Sequence, residues 1–142
     1  HLDERTHIKK LWDAIREPNN FMGVSLTRDW LEKIPSTAGV YIFMQNNKIV
    51  YVGETGNLKG RMKDLFDTRN HTLRRAIGDK FYSNIDGFSR ASSRVKFPNH
   101  IELLINKHIF QHFQLSYLAV SLGRKELEEF IEANIEEGVR LN

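Results

Sequence analysis

The chain has 142 residues, the size of one ordinary globular domain and short of two. Its residues are 40% hydrophobic and 11% aromatic, which excludes a disordered chain, and the lack of cysteine excludes disulfides, zinc knuckles, iron–sulfur clusters and thiol catalysis. The net charge of +3 is modest, and the longest apolar runs, such as residues 49–52, fall far below the roughly 20 residues that cross a bilayer, so no membrane partner is expected.

Residues 4–16 place Ile8, Leu11, Trp12 and Ile15 at helical spacing on a charged stretch, and Pro18 stops that helix. A second short helix is expected from Ser25, whose hydroxyl can cap it, through Trp30 and Leu31 to Pro35. The texture then changes: residues 39–44 and 48–52 are rich in β-branched and aromatic side chains, and Asn46-Asn47 between them is turn chemistry, so the segment reads as a β-hairpin. A loop follows from Gly53 to Gly60 and opens into a helix carrying Arg61, Leu65 and Phe66, with Asn57 as its cap.

Residues 72–77 predict another helical turn ending at Gly78, and residues 83–98 a long exposed loop. Asn99 with Glu102 three residues later is a variant capping box and opens a helix through Leu103, Leu104 and Ile105. Residues 113–121 supply a third strand, Gly123 ends it, and a closing helix runs from Arg124 to about Glu137. No repeat, low-complexity tract or linker interrupts this order. The fold class expected is α/β of the α+β kind, a small three-stranded antiparallel sheet flanked by helices, with residues 1–34 as an N-terminal helical extension and 35–142 as the main domain.

Charge is unevenly spread. Between Lys59 and Lys96 ten basic residues face four acidic ones, a local net of +6, whereas beyond Arg124 six glutamates face three basic residues. A basic middle suits a polyanion, because each neutralised phosphate releases condensed counterions. His108 and His112 stand four apart, a spacing that can grip zinc on a helix, but no Glu of an H-E-x-x-H motif accompanies them, so both read as structural or surface residues. No nucleophile elbow, phosphate loop or dinucleotide fingerprint is present.

Gly39-Val40-Tyr41, then Tyr51-Val52-Gly53 with its tyrosine ten residues on, then Leu58 and Arg61, resemble the GIY-YIG nuclease family. Residues 124–128 resemble that family's terminal helix with its metal-binding glutamate, and Arg140-Leu141-Asn142 its Asn-ended tail. The resemblance implies a nuclease domain that hydrolyses DNA phosphodiesters with one divalent metal, Mg²⁺ or Mn²⁺. It implies Tyr51 as the general base, Tyr41 as its positioner or proton relay, Arg61 as the phosphate clamp and Asn142 as a polar support. The metal glutamate is Glu128 or Glu132. On a helical wheel Leu127, Phe130, Ile131 and Ile135 define the buried stripe, Glu128 lies at its edge and Glu132 further toward solvent, which favours Glu128.

For the two tyrosines to converge, the hairpin must carry an odd loop or a bulge that brings Tyr41 opposite Tyr51, since a strict two-residue turn puts them on opposite faces. Two positions depart from the family pattern: Glu54 stands where Lys is common, and Leu65 where His or Tyr is common. His71 is the candidate to supply a lost proton donor or a phosphate contact, and Glu54 a weaker candidate for the metal shell. Lys59, Lys63, Arg74, Arg75, Arg90, Arg94 and Lys96 are candidates for contacts to the DNA backbone.

The function expected is therefore a metal-dependent DNA endonuclease. The alternatives are a non-catalytic nucleic-acid-binding module of the same fold, or an interaction domain for an acidic protein. The lack of a visible secretory signal and a start at His1 suggest a trimmed or tagged form of a cytoplasmic protein of bacterial or phage-like setting. Nothing in the sequence fixes an oligomeric state or the DNA target.

Overall fold

Strands β2 (Gly39–Gln45) and β3 (Lys48–Thr55) pair antiparallel across Asn46-Asn47, whose φ values of 55 and 61° are both left-handed. That geometry is the type I′ turn, whose twist matches the flanking strands and which asparagine tolerates well. The computed structural model describes residues 2–142. Gln45 pairs with Lys48 and Met44 with Ile49, but Phe43 pairs with Tyr51, so Val50 is an extra residue and the ladder is bulged there. The turn is thus strictly two-residue and the expected bulge lies beyond it. Tyr41 comes opposite Gly53 rather than opposite Tyr51, as expected above; the bulge nonetheless puts both tyrosines on one face.

The sheet has four strands in the order β1-β4-β2-β3, not three. The segment read as purely helical contributes β1 (Met22–Gly23), which pairs with the free edge of β4 (Phe113–Ala119) at Leu115 and Gln114. β4 is the expected third strand, antiparallel to β2. Around the sheet lie α1 (Leu2–Ile15), α2 (Arg28–Glu32), α3 (Leu58–Asp64), α4 (Thr72–Phe81), α5 (Asn99–His112) and α6 (Arg124–Ala133). Among the described residues no helix is long and apolar enough to cross a membrane.

Alternation along the strands divides the core in two. Tyr41, Phe43, Val50 and Tyr51 face a large cluster with Trp30, Leu58, Met62, Leu65, Leu73, Ile77, Ile101 and Ile105. Val40, Ile42 and Val52 face the other way, against Ile15 of α1 and Leu127, Ile131 and Ile135 on or just after α6. Each such side chain, fully buried, contributes about 1.5–3 kcal/mol before entropy is charged against it.

Several local expectations shift by physical cause. Thr27, not Ser25, caps α2, its side chain accepting from the Trp30 amide. Asn57 caps α3 as expected, by accepting from Gly60. Helix α4 does not end at Gly78 but runs through it to Phe81, and the bare Cα there admits the tip of the Phe97 ring. The Asn99 capping box does not form: Asn99 is already helical, and Glu102 turns instead to the Phe97 amide and Arg74. Helix α6 stops at Ala133 rather than near Glu137, and Phe130 on it is 39% exposed, edge-on to Trp12.

Candidate active site

The two glycines of the motif have steric reasons. A Cβ on Gly53 would lie 2.3 Å from the Tyr41 hydroxyl oxygen and Cζ, so only glycine lets the Tyr41 ring cross strand β3. A Cβ on Gly39 would lie 2.2 Å from the Leu118 carbonyl and 2.7 Å from Leu58 of α3, so the bare Cα admits both neighbours. The tripeptides thus shape a recess in which the Tyr41 and Tyr51 rings stack 6.2 Å apart at 23°.

Into it come side chains from the next two helices. Arg61 on α3 donates from Nε to the Tyr41 hydroxyl at 3.4 Å, and from Nη1 to Asp64 at 3.1 Å and the Asn70 carbonyl at 2.9 Å. Its Nη2 makes no hydrogen bond among the described residues, and the side chain is 27% exposed. His71, wholly buried, caps α4 by accepting the Leu73 amide on Nδ1 at 3.1 Å. The ring proton of the neutral imidazole is then on Nε2, which donates to the Tyr41 hydroxyl at 3.2 Å. Burial first, then the charges of Arg61, Arg75 and Arg74, push the His71 pKa down to about 3, so the ring stays neutral near pH 7.

The Tyr41 oxygen therefore receives two N–H donors, and the Tyr51 ring lies beside it. Burial, and then the neighbouring Tyr51, hold the Tyr41 phenol well above its ordinary range against the opposing pull of Arg61. The Tyr51 hydroxyl sits at the outer end of this hydrogen-bonded group, 2.8 Å from Oγ1 of exposed Thr72 at the start of α4. Thr72 escaped the sequence reading; its only signal is its place beside a capping histidine. His71 is buried and does not reach a phosphate directly; its Nε2 proton goes to the Tyr41 hydroxyl instead.

The carboxylates come from α6, which packs on the other face of the sheet and runs against the edge strand β3 that also carries Tyr51. Glu128 lies by the end of β3, where burial and then the Glu54 charge raise its pKa, against the lowering effect of the Glu54 amide. Glu54 is itself paired with Arg124 at 3.1 Å, a partner the sequence did not reveal. Glu132, half-buried rather than turned to solvent, is ion-paired with Arg140. Among the described residues no group of three or more His, Asp or Glu forms a ready cage. The neighbouring carboxylates of Glu128 and Glu54 are a donor set that fits a hydrated Mg²⁺, which takes one or two carboxylates and keeps its waters. Asn142 secures the same strand: it accepts the Val52 amide at 2.9 Å and donates to the Val52 carbonyl at 2.8 Å, while the Leu141 amide takes the carbonyl of bulged Val50 at 2.8 Å.

The basic candidates divide. Arg74 is a correction: it is 2% exposed, with its guanidinium bonded to Thr68, Glu102 and Asn106, and cannot meet a ligand. Arg75 is half-buried and donates to the Thr68 and Arg69 carbonyls at 2.9 and 3.0 Å. Lys59 lies 3.5 Å from Glu32. Lys63, Arg90, Arg94 and Lys96 are exposed. His108 is structural, bonded to Tyr82 at 2.9 Å and Gln45 at 3.1 Å.

Comparison with known proteins bears on these groups. A stretch of 34 residues is 47% identical to the UvrABC system protein C of Fusobacterium nucleatum, which is 24% of this chain and 6% of that protein; the chain spans a small part of that relative's length. No solved structure matches. Residues 37–135 match the family model described as the GIY-YIG catalytic domain, which takes in both tripeptides, Arg61, Glu128 and Glu132. A match over most of its length, on a mixed α/β fold with an antiparallel sheet, places the chain in the GIY-YIG nuclease domain family.

Proposed function

We propose that the chain is a divalent-metal-dependent endonuclease that hydrolyses DNA phosphodiester bonds, acting inside the cell. The observation that carries this reading is the convergence of Tyr41, Tyr51 and the guanidinium of Arg61 on one recess, with one Arg61 nitrogen left free. Arg61 holds the scissile phosphate through Nη2, in a position fixed from behind by Asp64 and Asn70. Tyr51, having first given its own proton to solvent, takes the proton of the attacking water while the water oxygen bonds to phosphorus; the bond to the departing strand breaks and its oxygen takes a proton from solvent. Tyr41 serves Tyr51 as a donor: two N–H groups hold its oxygen, and burial keeps its proton in place. Glu128 would hold Mg²⁺ or Mn²⁺, with Glu54 beside it once released from Arg124. When bound, the ion supplies neutralisation of the charge that builds on the phosphate oxygens. Glu128 is preferred to Glu132 because Arg140 already occupies Glu132.

Incubation with supercoiled plasmid in Mg²⁺ or Mn²⁺ tests the reading. The expected result is nicking or linearisation that is lost in Tyr51→Phe, Glu128→Ala and Arg61→Lys. Cutting that survives Tyr51→Phe and Glu128→Ala together would overturn it. Salt-sensitive DNA retention with no cutting by the unaltered chain would establish the binding-module alternative instead.

A further inference from the structure

The loop between α4 and α5 is built more firmly than a solvated linker needs to be. Phe88 and Phe97 pack 5.5 Å apart at its base, Phe97 is 3% exposed, and the Phe97 amide is held by Glu102 at 2.9 Å. At its far end Ser92 closes a tight turn: its amide donates to the Val95 carbonyl at 2.8 Å, and its hydroxyl accepts the Arg94 and Val95 amides at 3.1 and 3.2 Å. This ordered tip presents Val95, 59% exposed, beside an Arg94 whose side chain has no hydrogen bond or ion pair among the described residues. Arg90 and Lys96 flank it, with side chains 82% and 51% exposed. A fixed turn that spends its rigidity on an apolar and a cationic side chain, both in water, is shaped for a surface that covers both.

The base of the loop adjoins the recess. Lys96 lies 3.9 Å from Asp67, which also binds Arg69, and the same connection between α3 and α4 carries the Asn70 carbonyl that orients Arg61. The connection between α3 and α4 thus links the Arg61 guanidinium to Lys96 at the root of the tip.

We propose that residues 90–96 form a minor-groove finger: Arg94 and Val95 enter the minor groove of duplex DNA while Arg90 and Lys96 hold the phosphates on either side. This rests on the reading that the substrate is DNA and specifies it as duplex. A guanidinium is favoured where the minor groove is narrow and its negative potential high, and apolar side chains serve as wedges between base steps.

The test is duplex binding by fluorescence anisotropy, without divalent metal, on A·T-rich and G·C-rich duplexes over a range of salt. Arg94→Ala should weaken binding to the A·T-rich duplex about tenfold. It should also shrink the preference for that duplex. Arg90→Ala should lower the salt slope by about 0.9, the value of one phosphate contact. Val95→Ser should weaken binding with the salt slope unchanged, netropsin should compete, and Arg28→Ala, on the exposed start of α2, should change nothing. Unaltered affinity in both tip variants, indifference to netropsin, or failure to bind duplex DNA would overturn the proposal. Plasmid cutting with unaltered tip variants refutes the finger alone, whereas finger-dependent binding without cutting refutes the nuclease reading alone.

Discussion

Replacing Arg74 by methionine tests a buried polar network directly. The guanidinium donates to Thr68 Oγ1 at 2.9 Å, Asn106 Oδ1 at 2.7 Å and Glu102 Oε1 at 2.6 Å, and so ties α4 to α5 and to the turn before α4. Methionine fills much of the volume, so the loss is electrostatic. Glu102, its side chain 13% exposed, keeps only the Thr68 hydroxyl and the Phe97 amide, and a largely buried carboxylate loses its counter-charge. Removing one partner of a buried ion pair costs about 3–5 kcal/mol. For a chain of this length that is a fall in Tm of roughly 10–15 °C.

Urea unfolding followed by far-UV circular dichroism measures the effect, and the double variant with Glu102→Gln recovers part of it because the orphaned charge is gone. Arg75→Met, which removes only bonds to two carbonyls, should cost about 1 kcal/mol. A loss below about 1 kcal/mol in Arg74→Met would refute the network. So would a lower salt slope of DNA binding in the folded variant, which would return Arg74 to the surface role that its charge alone suggests.

Three further outcomes are expected. His71 has its pKa pushed down to about 3, so folding favours the neutral ring; its contribution is complete above the unfolded value near 6.5 and is lost as pH falls toward 3. His71→Asn, which keeps a capping side chain, should therefore flatten the acid limb of stability by about 1.4 kcal/mol per pH unit, read from urea midpoints between pH 6.5 and 4; an unchanged slope refutes the buried neutral ring. Gly78→Ala gains about 1 kcal/mol of helix propensity. The added methyl group meets Phe97 at 2.3 Å, so net destabilisation of about 1–3 kcal/mol is expected by thermal melting, and a more stable variant contradicts the packing. Asn142→Ala removes both bonds to Val52, and hydrogen exchange at the Val52 amide should accelerate well before global unfolding does; unchanged protection would mean the tail does not hold the edge strand.

Much of this protein is local physics and was therefore legible in its residues. Two asparagines with left-handed φ make the hairpin turn, Asn57 caps α3, and the spacing of Leu127 and Ile131 buries one side of α6, because turns, caps and amphipathic faces depend on neighbours within a few positions. The ordered tripeptides, Arg61 and the terminal helix were enough to point to the family. What only the tertiary structure decided depends on partners distant in the chain. The extra residue at Val50, invisible in a pattern of alternating apolar residues, moves Tyr51 onto the face of Tyr41. Met22–Gly23 became a strand because β4 offered it a free edge. Arg74 and Arg94 carry the same charge in the same basic stretch, yet one is sealed against Glu102 and the other projects into water. Composition gives the sign of a charge; whether an opposite charge waits for it inside the fold is settled only when the helices pack.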